Sequence, residues 1–252
     1  MNLPNRRQIA LQLYTVRNEL AQDPERTLQR IKDTGIGAVE IAPLPDGLGP
    51  DRLARLLRSQ ELDVIAMHCD LPLGSRLNGV VDLAHEMRCQ RVIWHGWPRE
   101  SLFDNLDGIH LLAEQYNQAH DNARRNGLRL GLHNHWWEFE PVQGRFPYRV
   151  FLDKLHPEIF LELDTYWART AGLDPAALLL ELRDRVELLH LKDGSTKKGE
   201  PMRALGDGVM DFHKILRAAS PKIEWLVIEL DECESDIWQA VRQSFAYLRA
   251  FC

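Results

Sequence analysis

The chain has 252 residues, 44% of them hydrophobic and 27% charged, with a formal net charge of −6. That length matches one large α/β barrel and can bury most of its unfolded surface, so no disulfide or metal is needed merely to hold a core. Scattered basic residues exclude the cationic footprint of a nucleic-acid binder, and the longest apolar runs fall far short of a membrane span.

Four isolated cysteines (Cys69, Cys89, Cys233, Cys252), with no CxxC pair, fit free thiols in a reducing cytoplasm. No signal-peptide pattern opens the chain, and a cytoplasmic protein is expected. The first strand is predicted at IALQLY, residues 9–14. DPERTLQRIKDTG follows as a helix, with Asp23 as N-cap, Pro24 at the first helical position and Gly35 just past the end. AVEIA (38–42) is the second strand, and GPDRLARLLRSQ a helix with Leu53, Leu56 and Leu57 on one face. DVIAMHC (63–69) and RVIWHG (91–96) are the third and fourth strands. LDGIHLLAEQYNQAHDNARRNG is a long amphipathic helix stopped by Asn126-Gly127. LRLGLHNH (128–135) and IFLELD (159–164) come next, then the helix DPAALLLELRDR. VELLHLK (186–192), the helix MDFHKILRAAS, EWLVIEL (224–230) and the helix ESDIWQAVRQSFAYLRAF complete the series.

Eight strand–helix units at about 30 residues each predict a parallel sheet closed into a (β/α)8 TIM barrel, a single domain over residues 1–252. The competing architecture is an open doubly wound sheet. No GxGxxG follows the first strand, which weakens its dinucleotide-binding version.

Residues two apart on a strand share a face. His133 and His135 share one on the fifth strand, Glu162 and Asp164 on the sixth, and His190 and Lys192 on the seventh. The other strands end in Gln12 and Tyr14, Glu40, His68, His95 and Glu229. Taken singly, a strand-end histidine is usually just hydrogen-bonded and a carboxylate there is more often a helix cap. All eight strands ending so is different, because in a barrel their carboxyl ends converge on one mouth, where active sites are built. Burying that many ionisable groups without a function is expensive. Mixed imidazole and carboxylate ends suit Mn²⁺, Co²⁺, Zn²⁺ or Fe²⁺, and Mg²⁺ less well.

The stretches LQLYTVR, LHNHWWEFE, LDTYWARTAGLDP, LLHLKDG and LGDGVMDF resemble the xylose isomerase-like barrel family of sugar phosphate isomerases and epimerases. That group includes ketose 3-epimerases, hydroxypyruvate isomerase and inosose dehydratases, and more distantly nucleases of the endonuclease IV type. The resemblance runs over about residues 8–250. It implies one divalent metal ion held by Asp164, His190, Glu229 and a first carboxylate expected at Glu138, with His133 or His135 as substitute ligand or substrate contact. It also implies hydroxyl-binding roles for His68 and His95, with Glu40 orienting one of them. Lys192 is expected to stabilise an oxyanion, its bland alternative being a salt bridge. Trp136, Trp137 and Trp167 are candidates to stack on a sugar, although packing is the commoner role of a tryptophan. LGDGVMD reads as a glycine turn leading into a helix capped by Asp207 or Asp211.

The chemistry so implied is metal-dependent proton abstraction next to a carbonyl of a small sugar, with Glu138 or Glu229 as base and an enediolate stabilised by the metal and Lys192. Return of the proton isomerises or epimerises; expulsion of a β-substituent makes the same site a dehydratase or lyase. A DNA-repair nuclease fits the acidic charge poorly, and a binding barrel without catalysis predicts no held metal. A homodimer is expected by analogy with the family alone.

Overall fold

The computed structural model describes residues 7–183 and 185–252. Its strands are β1 (Gln8–Gln12), β2 (Ala38–Ile41), β3 (Asp63–Cys69), β4 (Arg91–Trp94), β5 (Arg129–His133), β6 (Phe160–Asp164), β7 (Val186–Leu191) and β8 (Trp225–Ile228). Each pairs in parallel with the next and β8 pairs with β1, closing the predicted barrel in sequence order. Closure explains why most observed strands stop one or more residues short of the apolar runs. The ladder ends at the rim, so His135, Lys192 and Glu229 lie just beyond their strands, while Leu13 and Tyr14 of the first run enter the 3-10 turn Leu13–Val16.

Predicted helix signals hold where caps are strong. Asp23 accepts a hydrogen bond from the Arg26 amide at 3.0 Å, Pro24 opens the helix Pro24–Asp33, and Gly35 follows in the left-handed region. Asn105 caps the 20-residue helix Leu106–Arg125 through the Gly108 amide. Of the two aspartates offered for the late glycine turn, Asp211 is the cap: it accepts from the Lys214 amide at 2.9 Å. The helix Leu77–Met87 was not expected. It starts at Arg76 without a side-chain cap and contains Gly79, so only the spacing of buried Val80, Ala84 and Met87 betrays it. Among the described residues no helix is long and apolar enough to cross a membrane.

Most of the buried apolar side chains lie between strands and helices. A second, smaller cluster fills the barrel: Ala10, Ala38, Ile65, Ala66, Ile93, Phe160, Leu188 and Val227. Gly131 belongs to the same layer, because a Cβ there would overlap the Phe160 ring; its missing side chain makes room for that phenyl group. This layer sets the height of the polar groups above it. Two residues on from Ala10, Ala38, Ala66, Ile93, Gly131, Phe160, Leu188 and Val227 stand Gln12, Glu40, His68, His95, His133, Glu162, His190 and Glu229. The period of two therefore lifts a complete ring of polar groups onto an apolar floor.

Candidate active site

Within that ring the groups form two linked clusters. In the deeper one the Glu40 carboxylate accepts from Gln12 Nε2 at 2.8 Å and meets His190 Nε2 at 2.6 Å. His68 Nε2 lies 2.6 Å from Glu162 Oε2, which is also 3.1 Å from His190 Nε2. In the upper cluster His190 Nδ1 lies 2.7 Å from Glu229 Oε2, and His133 Nε2 lies 3.5 Å from Asp164 Oδ2. Lys192, only 2% exposed, sends Nζ to within 2.8 Å of Glu229, 2.9 Å of Asp231 and 3.1 Å of Asp164.

Burial and charge pull these groups in opposite directions. Burial alone would lower Lys192, but Asp164, Asp231 and Glu229 outweigh it and hold the ammonium well above its usual range. Burial would raise Glu229, yet Lys192 and His190 keep it ionised, well below the usual carboxylate range. His190 is raised despite its burial, by Glu162, Glu40 and Glu229. Glu40 is pushed up to about 7, by burial first and then by Glu162. Asp231 rises to about 6, again by burial first. The histidines on the other wall move down: burial carries His95 to about 4 and His135 to about 3, and holds His133 well below its usual value.

The donor set fits a divalent cation. One atom each from His133, Asp164, His190 and Glu229 lie within 4.8 Å of one another, all buried. Neither ring nitrogen of His133 has a hydrogen-bond partner among the described residues, although the residue is 6% exposed. Leaving a buried polar atom unsatisfied costs about 1–3 kcal/mol, and a cation beside Nε2 would remove one such orphan. His190 is arranged as a metal-ligating imidazole commonly is, with one nitrogen toward the ligand group and the other on a carboxylate, here Glu40. Glu40, His68, Glu162 and His190 also satisfy the spacing of a ligand set; His68 bonds to Glu162 and Glu40 to His190 there, as His190 does to Glu229 in the upper set, and the imidazole left without a partner is that of His133.

Above the ligand group a cavity of about 420 Å³ opens, lined by His68, His95, His133, His135, Trp97, Trp136, Trp167, Tyr14, Lys192, Glu229 and Asp231 among others. Trp167 lies 5.3 Å from the Lys192 ammonium and 4.9 Å from Trp136. His95 accepts from the Trp97 amide through Nδ1 at 3.0 Å, which fixes its ring at the rim. His135 lies flat on Trp137 at 4.3 Å. Trp137 itself is 2% exposed and does not line the cavity, so it packs.

Glu138 stands apart from both ligand groups. It belongs to the short turn Trp137–Phe139, and its Oε2 folds back to accept from the His135 amide at 2.9 Å. It lines a mostly apolar cavity with Tyr116, Tyr148, Phe151 and His133, where burial pushes it up to about 8. The carboxylate thus braces the segment that carries His133 and His135.

Three residues given no role from the sequence help to build the site. Glu162 shares a face with Asp164, and Asp231 follows Glu229 by two, so parity alone points to both. Asp193 is fully buried and accepts from the amides of Gly194, Gly206, Gly208 and Met210. It ties the glycine turn to the end of β7, and a Cβ at Gly208 would overlap its carboxylate.

The family model for xylose isomerase-like TIM barrels matches residues 28–251. Among solved structures, a sugar phosphate isomerase/epimerase from Parabacteroides distasonis is 23% identical, with a TM-score of 0.82 over 99% of this chain and 96% of that one. A D-allulose 3-epimerase from Methylomonas sp. is 15% identical with a TM-score of 0.72, covering 100% of both chains. A probable 3-DHS dehydratase from Bacillus anthracis is 13% identical with a TM-score of 0.76, over 96% of this chain and 98% of that one. Comparison with curated proteins returns no match. At these identities the neighbours testify to the fold alone. The family model spans most of the sequence, and the chain belongs to the xylose isomerase-like TIM barrel family.

Proposed function

We propose that the chain is a divalent-metal-dependent sugar isomerase or epimerase acting by proton abstraction next to a carbonyl. The observation that carries this reading is the buried group His133, Asp164, His190 and Glu229 at the floor of a cavity walled by tryptophans and histidines. Those four residues would hold the ion, with Mn²⁺ or Co²⁺ favoured by two imidazoles and two carboxylates. When bound, the metal supplies Lewis acidity and a template for a carbonyl and its neighbouring hydroxyl. Glu229, kept ionised by Lys192 and His190, takes the α-proton. Lys192, itself almost fully buried, donates to the oxygen on which negative charge develops. His68 and His95 bind hydroxyls on the far wall, and Trp136 and Trp167 offer faces to the apolar side of the ring.

One feature refines the reading: the mouth carries Glu200, Asp231 and Glu232. Its Arg17 is engaged with Tyr14, and the nearby Lys198 with Glu140 and Trp136. A phosphate would meet more carboxylates than free cations, so the favoured substrate is an unphosphorylated sugar.

The test is incubation with a panel of free and phosphorylated ketoses in D₂O with Mn²⁺. Deuterium at the carbon next to the carbonyl of a free ketose is expected, and Glu229→Gln should abolish its uptake while leaving the circular dichroism spectrum unchanged. Exchange that persists in that variant, or that survives exhaustive chelation, removes the basis of the assignment.

A further inference from the structure

A second cluster of ligand-type side chains lies at the opposite end of the barrel. His120 stands in the last half of the helix Leu106–Arg125, while His156 and Glu158 lie in the segment that leads into β6. His120 is 3% exposed, yet neither of its ring nitrogens has a hydrogen-bond partner among the described residues. Its ring is stacked on His156 at 4.4 Å, and its Nε2 lies 3.6 Å from Glu158 Oε2. One atom from each of the three falls within 4.8 Å of the others.

The segment is fixed in place rather than hanging free. The His156 amide donates to Asn117 Oδ1 at 2.7 Å, Asn117 Nδ2 donates to the Lys154 carbonyl at 3.0 Å, and Arg185 donates to the His156 carbonyl at 3.1 Å. His156 Nδ1 accepts from the Glu158 amide at 3.3 Å; a neutral imidazole has a single lone pair, so ligation through Nε2 shifts the ring proton to Nδ1 and this long contact gives way. A groove of about 370 Å³, lined by His120, Glu158 and Arg124 among others, opens beside the cluster. Its other arginines are engaged: Arg129 with Glu187, and Arg185 with backbone carbonyls.

We propose that His120, His156 and Glu158 form a peripheral site for a borderline divalent transition metal such as Zn²⁺, Co²⁺ or Ni²⁺. Two imidazoles and one carboxylate are a common donor set for these ions, and a fourth position facing the groove would hold water. Tetrahedral ligation with bonds of about 2.0–2.1 Å places ligand atoms roughly 3.3 Å apart. His156 and Glu158 are exposed and have room to close that gap onto the buried His120. The bound ion would fasten the segment before β6 to the helix before β5, remote from the mouth.

The test is calorimetric titration of the chelator-treated full chain with Zn²⁺. Wild type is expected to bind two equivalents, His156→Ala/Glu158→Gln one, and Asp164→Asn one, so each site is read separately. Both peripheral substitutions are on exposed side chains, and the double variant should keep wild-type circular dichroism and turnover. Co²⁺ should also give the intense visible absorption of a four-coordinate ion in Asp164→Asn, and lose it when His156→Ala is added. His156→Ala alone should weaken this site by more than about 100-fold, beyond what changes behind a ligand usually produce. An unchanged stoichiometry in the double variant overturns the proposal, as does a single wild-type equivalent that only Asp164→Asn abolishes. A single equivalent lost only in the peripheral variant would support this site and count against the one at the mouth.

Discussion

Lys192→Met keeps most of the aliphatic stem and removes only the charge from the upper cluster. The ammonium now lies within 3.1 Å of three carboxylates, Glu229, Asp231 and Asp164. Removing one partner of a buried ion pair costs about 3–5 kcal/mol, because the charge left behind has no compensation. Asp231 is 29% exposed at its side chain and is partly screened by water, so the lower end, about 3 kcal/mol, is expected for the metal-free protein. For a domain of this size that is a fall in Tm of roughly 6–12 °C. Urea unfolding at pH 7.5 with a chelator measures it. Saturating Mn²⁺ should then stabilise the variant more than wild type, since the cation replaces the lost positive charge and no longer competes with it. Activity should fall on the order of 100–1000-fold, as expected for a lost oxyanion donor. A metal-free cost under about 1 kcal/mol, or equal stabilisation of both proteins by Mn²⁺, would refute this account of Lys192.

Further substitutions probe other parts of the fold. Glu138 has a folded pKa of about 8 against a usual 4.5, so the native state holds a proton that the unfolded chain releases. Stability from this group is full below about 4.5 and is lost as pH rises through 8; Glu138→Gln should therefore gain on wild type in Tm between pH 5 and pH 9, and a constant difference would refute the shift. Gly131→Ala drives a methyl group into the Phe160 ring and should cost about 1–3 kcal/mol in urea unfolding, with partial recovery by Phe160→Leu. Trp167→Ala removes a face worth about 0.5–1.5 kcal/mol to a stacked ring, so kcat/KM for the sugar should drop roughly 2–12-fold, mainly through KM. No change in KM would assign Trp167 to packing.

The barrel was legible because its signals are local and repeated: eight apolar runs, a strong cap at Asp23, a clear stop at Asn126-Gly127, and a polar residue at each strand end. The uncapped helix Leu77–Met87 escaped because Gly79 and a missing N-cap erased the boundary cues that periodicity alone could not replace. At the site, parity put His190 and Lys192 on one face and Asp164 beside Glu162, with Glu229 only a strand end; in the structure Glu229 meets both His190 and Lys192, and Lys192 meets Asp164. Parity could not foresee Glu138, because that residue lies beyond the strand, in a turn where alternation no longer governs direction. Nor could it rank Glu162 and Asp231, whose importance rests on long-range contacts with His68 and Lys192. A strand period tells which side a residue faces; only closure of the barrel tells what it meets there.

One cation is expected between β5, β6, β7 and β8 at the floor of the mouth. Anomalous diffraction from crystals grown with Mn²⁺ tests it most directly. A single peak inside the barrel, within bonding distance of His133, Asp164, His190 and Glu229, is expected. A peak centred instead among Glu40, His68 and Glu162, or no peak inside the barrel at saturating Mn²⁺, would contradict it.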